Sequence, residues 1–131
     1  MIAIDSSALV KYLVREEGWF KVRKYLEEGC ITLDFAIKEV LNVVWKRVAV
    51  GELDESYACK VVSLFLKSEI VKKVDQEQFM QKAFLIAVRN RITVYDSLFI
   101  ALAKENNIPL LTSDKKQAEA AERENVKVIL V

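Results

Sequence analysis

Apolar residues fall into short runs separated by stretches of helical spacing, so the chain reads as strands alternating with helices. Ile2 to Asp5 is a short buried strand, and Ser6 to Val14 starts a helix with a serine as its cap, interrupted at Gly18. Trp19 to Glu28 places Phe20, Val22, Tyr25 and Leu26 at helical spacing; Gly29 ends that helix, and Cys30 to Leu33 is a second strand. Asp34 is expected to cap a helix from about Phe35 to Val50, which stops at Gly51. Asp54 to Ser68 makes another, with Tyr57, Val61, Leu64 and Phe65 expected inward. A weak third strand over Ile70 to Val74 precedes helices at Gln76 to Arg89 and Val94 to Asn106. Pro109 to Thr112, Lys115 to Glu124 and Val126 to Leu130 complete the pattern as strand, helix and strand.

The strands are apolar runs instead of polar/apolar alternations. That argues for an α/β fold in which a central parallel sheet of about five strands is covered by helices on both faces. Ligands of such sheets bind outside the carboxyl ends of the strands. Three glycines and one proline leave little room for a linker, so residues 1–131 are expected to form one domain with one core.

Composition narrows the function classes. Net charge is +1, so nonspecific capture of nucleic acid is not advertised, and any polyanion would be met by local basic clusters. Cys30 and Cys59 are too few for a disulfide framework or a zinc site, which suggests a reduced, intracellular chain. No basic leader precedes an apolar stretch, and every apolar stretch is broken before the ~20 residues of a spanning helix, so neither a signal peptide nor a membrane span is expected. A hydrophobic fraction of 53% mildly favours a buried sheet, a subunit interface, or both.

The acids carry the candidate chemistry. Of six aspartates, Asp5 closes the first strand, Asp114 follows the fourth, and Asp96 lies in the first turn of a helix three residues after Thr93. Parallel strands end on one edge; neighbouring strands there would leave Asp5 and Asp114 about 5 Å apart laterally. Glu39 lies in an otherwise apolar helix, in one polar stripe with Asn42 and Lys46. Taken singly, each has a plainer explanation: a helix cap for Asp114 and Asp96, a turn for Asp5, a solvated stripe for Glu39. The absence of histidine excludes His-assisted nucleophiles, His-ligated zinc and a histidine base, and three scattered glycines write no phosphate loop. What remains is oxygen-ligand chemistry suited to Mg²⁺ or Mn²⁺.

At this point IDSSALVKYL, KEVLNVVWK, TVYDSLFIALA and PLLTSDKK resemble, in order and spacing over nearly the whole chain, the four acidic motifs of PIN-domain nucleases. The chain is most similar to the small single-domain type, the VapC toxins of toxin–antitoxin pairs. The resemblance implies a doubly wound sheet, an Mg²⁺- or Mn²⁺-dependent endoribonuclease activity on RNA in the cytoplasm, a cognate antitoxin and a homodimer. Position by position it makes Asp5, Glu39, Asp96 and Asp114 the catalytic, metal-binding acids, with Ser6 and Thr112 as polar neighbours. The further acid that some members carry is replaced here by Lys115, Lys116 and Gln117. Lys11, Arg15, Lys38, Lys46, Lys115 and Lys116 are candidate phosphate contacts. Competing expectations are an RNA-processing nuclease outside a toxin system, a noncatalytic PIN-like binding module, and a receiver-type phosphoacceptor. The last would want an adjacent acidic pair after the first strand, where this chain has Ile4 and Ser6 around Asp5.

Overall fold

The computed structural model describes residues 1–131. Its strands are β1 (Ile2–Ile4), β2 (Cys30–Leu33), β3 (Lys72–Val74), β4 (Leu110–Thr112) and β5 (Val128–Leu130). The connections are α1 (Ser6–Leu13) and α2 (Trp19–Glu28), then α3 (Ala36–Ala49) and α4 (Glu55–Lys67). A 3₁₀ turn at Glu77–Phe79 leads into α5 (Met80–Asn90), followed by α6 (Val94–Asn106) and, between the last two strands, α7 (Lys115–Arg123). Every strand pair is parallel, as the alternation predicts, and the order is β3-β2-β1-β4-β5, the doubly wound arrangement that the resemblance implies.

The chain winds outward from β1 to β2 and β3, then returns to place β4 on the other side of β1. The winding direction therefore reverses between β1 and β4, where the carboxyl ends of strands open a crevice. Side chains alternate across the sheet. Ile2, Ile4, Cys30 and Leu111 join the apolar cluster formed with α1 to α4, whereas Ala3, Ile31, Leu33 and Leu110 join the cluster formed with α5 to α7. Helix α6 is buried at every position from Ser97 to Ala103, because it lies against β1 and β2 and is covered by neighbouring helices. The body of the helix is thereby held against the sheet, while its first turn, with Val94 and Tyr95 exposed and Asp96 half-buried, reaches the surface.

Three local expectations are corrected. Asp34 does not cap α3: its Oδ1 accepts from the Phe35 amide, and Phe35 holds the cap position with no side-chain bond to the helix. Helix α4 turns Ala58 and Phe65 inward, leaving Leu64 70% exposed and Tyr57 39% exposed. An apolar helix gives its periodicity little power to choose a face. The third strand begins only at Lys72, since Val71 turns into the core; exposed Lys72 and Lys73 then guard a sheet edge.

A candidate carboxylate active site at the β1–β4 edge

Asp5 follows the last residue of β1 and caps α1, accepting from the Ala8 amide at 3.0 Å and the Ser7 hydroxyl at 2.6 Å on Oδ1. The Thr112 hydroxyl, from the end of β4, donates to Oδ2. The expected serine cap is thus wrong by one residue: Asp5 has the extended backbone of a cap, and Ser6 is already helical. With 4% of its surface exposed, Asp5 has its pKa pushed up to about 6. Burial is the largest cause; the donors from Ser7, Thr112 and Ala8 oppose it, and the Asp114 charge adds to it.

Asp114 reaches the same edge because β1 and β4 are neighbours, with Ile4 paired to Leu111. It caps α7, accepting from Lys116 N at 2.9 Å and Gln117 N at 3.3 Å. Its own amide donates to Thr112 Oγ1, and the Ser113 amide donates to Ser7 Oγ, both at 3.0 Å. The hydroxyls of Ser7 and Thr112 therefore tie the two strand ends together. Ser7 was not singled out from the sequence: in SSAL, the helical rotation between adjacent residues decides which hydroxyl faces which acid.

Glu39 and Asp96 arrive from helices. The Ser6 hydroxyl donates to Glu39 Oε1 at 2.7 Å, linking the first turn of α1 to α3. Glu39 is half-buried while Asn42 and Lys46 of the same stripe are exposed, so a solvated stripe does not describe it. Its pKa is raised, first by burial and further by the Asp96 charge, against the Ser6 hydrogen bond. Thr93 caps α6, taking the Asp96 amide at 3.2 Å, which is the capping arrangement read from the sequence. The Asp96 carboxyl is also raised, by burial and then by Asp114, with the Thr93 hydroxyl opposing.

The four acids thus influence one another in a chain, Asp5 with Asp114, Asp114 with Asp96, and Asp96 with Glu39. As they stand, no three acidic or cysteine side chains are grouped tightly enough to enclose a cation. Mutual repulsion keeps carboxylates apart, and Ser6, Ser7, Thr112 and the α7 amides each hold one in place. The donor set is all oxygen, half-buried or buried, and none of the four acids is in a salt bridge, a chemistry that suits a hard divalent ion.

The basic residues divide by position. Lys115 and Lys116 open α7 beside Asp114, and Lys38 precedes Glu39, all exposed. Arg15 instead lies over the Trp19 ring at 3.8 Å and near Tyr12, past the far end of α1, and the Lys11 side chain approaches Gly18 there. Lys46 is seven residues beyond Glu39, roughly 10 Å along α3.

Residues 2–123 match the family model described as the PIN domain. Ribonuclease VapC3 of Pyrobaculum aerophilum is 31% identical over 121 residues, covering 90% of this chain and 92% of that protein. Among solved structures, PAE2754 of the same organism superposes with a TM-score of 0.74 at 22% identity, over 97% of this chain and 82% of its own. VapBC2 of Rickettsia felis, bound to a DNA fragment from its promoter, contains a chain with a TM-score of 0.68 at 13% identity, over 100% of this chain and 99% of its own. These two structural likenesses speak for the fold, and the first two matches settle the family: the chain belongs to the PIN-domain nucleases and is most like the VapC-type ribonucleases.

Proposed function

We propose that this protein is a metal-dependent endoribonuclease, the toxin of a VapBC-type toxin–antitoxin pair, in which Asp5, Glu39, Asp96 and Asp114 hold Mg²⁺ or Mn²⁺. The observation that carries the reading is Asp5. It is a buried carboxylate at the switch point of the sheet, with no cationic side chain among its hydrogen-bond partners and the charge of Asp114 pressing on it. Such a group costs stability unless a cation compensates it. A bound divalent ion supplies that compensation, together with activation of water and stabilisation of charge on a phosphodiester.

The chain's own residues do the rest. A carboxylate offers about four acceptor positions; Oδ1 of Asp5 uses two and Oδ2 one, so Oδ2 keeps an acceptor facing away from Thr112. Ser7 holds Oδ1 of Asp5, Thr112 holds Oδ2, and Ser6 holds Oε1 of Glu39, so the donors are organised before an ion arrives. Lys38, Lys115 and Lys116, exposed and close in sequence to Glu39 and Asp114, are the candidate contacts for the RNA backbone. With no histidine in the chain, an attacking water has no imidazole to deprotonate it, so the carboxylates are the groups at this edge able to accept its proton near neutral pH.

Cleavage of a panel of structured RNAs in Mn²⁺, with and without chelator, tests the reading. Chelator-sensitive cuts lost in Asp96→Asn support it, and cuts that persist in chelator overturn the metal. The names of the relatives support a cognate antitoxin as partner, and the cytoplasm as the place of action follows from an RNA substrate. No helix of the chain is long and apolar enough to cross a membrane.

A further inference from the structure

Gln117 is 3% exposed, in the first turn of α7. Its Nε2 donates to the backbone carbonyl of Asp96 at 2.9 Å, and its backbone amide donates to Oδ1 of Asp114 at 3.3 Å. One residue thus joins the helical turns that carry two of the four acids, across 21 positions of sequence. Its Oε1 is the one buried side-chain polar atom in the chain without a hydrogen-bond partner.

An unpartnered buried acceptor lowers stability, and an apolar side chain of the same length would avoid that loss while filling the same space. Three small neighbours, Ala118, Ala120 and Ala121, already provide the apolar packing of α7. The amide is therefore not explained by packing. Exchanging the two ends of the amide would set oxygen against the Asp96 carbonyl, so the donor orientation is the one the site enforces. What the group accomplishes is a fixed spacing between the start of α6 and the start of α7.

We propose that Gln117 is a positioning residue, whose amide holds the Asp96 turn against the Asp114 turn at the separation one divalent cation needs to take both carboxylates. The inference rests on the reading of these acids as metal ligands. Without Gln117 the two turns are joined only by packing, and the repulsion between Asp96 and Asp114 can move them apart. An ion must then draw them together, at the expense of its own binding.

The test is Mn²⁺ titration of the full chain without RNA, by calorimetry and thermal shift, for wild type, Gln117→Met and Asp96→Asn. The expected result is a metal-free melting temperature for Gln117→Met equal to or above wild type, with Mn²⁺ affinity weakened about 10-fold. Cleavage by this variant should need more Mn²⁺ but recover its maximal rate at saturation, which a simple folding defect does not produce. Should Gln117→Met fold poorly, Gln117→Asn keeps the amide but is one methylene too short, and the same weakening is expected. Wild-type affinity in both variants would overturn the positioning role and leave the metal site standing. A wild type that binds no Mn²⁺, like Asp96→Asn, would overturn the metal reading and this inference with it.

Discussion

Thr112 donates its hydroxyl to Asp5 from 107 positions away in the chain, and the same hydroxyl accepts the amide of Asp114. One side chain thus positions the acids at the ends of β1 and β4, and it can do so only because those strands are parallel neighbours. Thr112→Val keeps the shape and removes both bonds. Stability should fall by about 1–3 kcal/mol, the loss typical of stranding a buried partner. One of the three donors that lower the Asp5 pKa disappears, so that pKa should rise further above about 6 and the acid limb of the cleavage profile should move to higher pH. Chemical denaturation and a pH–rate profile check both. An unshifted acid limb with normal activity would show that Thr112 has no hold on the site.

The metal-free protein should be most stable in mildly acid solution. Asp5 goes from 3.8 to about 6 on folding, so the folded chain keeps a proton that the unfolded chain releases. Its contribution is fully present below about pH 4 and is lost as pH rises through 6, on the order of 3 kcal/mol. Glu39 and Asp96 shift in the same direction. Glu124 runs the opposite way: lowered from 4.5 to about 2, it stabilises above its unfolded pKa and loses that as pH falls toward 2. The melting temperature without metal should therefore peak between about pH 4 and 5 and decline toward pH 8. Mn²⁺ should raise it at pH 7.5 and hardly at pH 5, where protonated acids bind cations poorly. A metal-free melting temperature that climbs steadily from pH 5 to 8 would contradict the charge assignment.

The parts of this site that sequence revealed are those fixed by local periodicity. Apolar runs ending in Asp5 and Thr112-Ser113-Asp114 announce strand ends, whereas the adjacency of β1 and β4 is set by the strand order, which alternation along the chain does not fix. The hidden parts depend on rotation and crossing. Ser6 and Ser7 are adjacent hydroxyls about 100° apart on a helix; one serves Glu39 and the other Asp5, and no pattern along the chain distinguishes them. Gln117 has no periodic signal, since its partner is a carbonyl on another helix. The inward face of α4 is only partly legible: Phe65 packs inward as its spacing predicts, while Tyr57 and Leu64 turn outward, because the helix offers apolar residues on more than one side.

Asp96→Asn should abolish cleavage without destabilising the metal-free fold. The cap of α6 is the Thr93 hydroxyl on the Asp96 amide, which this substitution leaves intact. It removes a negative charge that burial and Asp114 both disfavour, so the melting temperature at pH 7.5 should be unchanged or slightly higher. A lower melting temperature with activity retained would return Asp96 to a merely structural role.

Glu124→Gln separates stability from chemistry. Glu124 lies at the end of α7 and accepts from Arg89, Asn90 and Lys104, which join α5 and α6 to it. Its carboxylate is held at a pKa of about 2, chiefly by the Arg89 hydrogen bonds, although Arg89 and Lys104 are themselves well exposed. Loss of its charge should lower stability by about 2 kcal/mol and abolish most of the acid-side decline. Mn²⁺ affinity should be untouched. A weaker ion site in this variant would mean that the α7 register is set at its far end and not by Gln117.

The last expectation concerns partners. The α3–α4 groove, lined by Leu41, Val44, Trp45, Val48, Val62 and Leu66, encloses about 630 Å³, and Trp45 at its rim is 64% exposed. Apolar surface of this kind on helices of the first half is where a homodimer is expected to bury area. Trp45→Glu should then convert a dimer to a monomer in solution mass measurements while leaving the acids in place. An antitoxin segment covering the acidic edge, with an arginine or lysine toward the carboxylates, would neutralise them and compete with the cation. Expression alone should arrest growth, Asp96→Asn should not, and coexpression of the cognate antitoxin should restore growth. A chain that stays monomeric, and whose expression is as harmless as that of Asp96→Asn, would leave a PIN-domain nuclease with no claim to be a toxin.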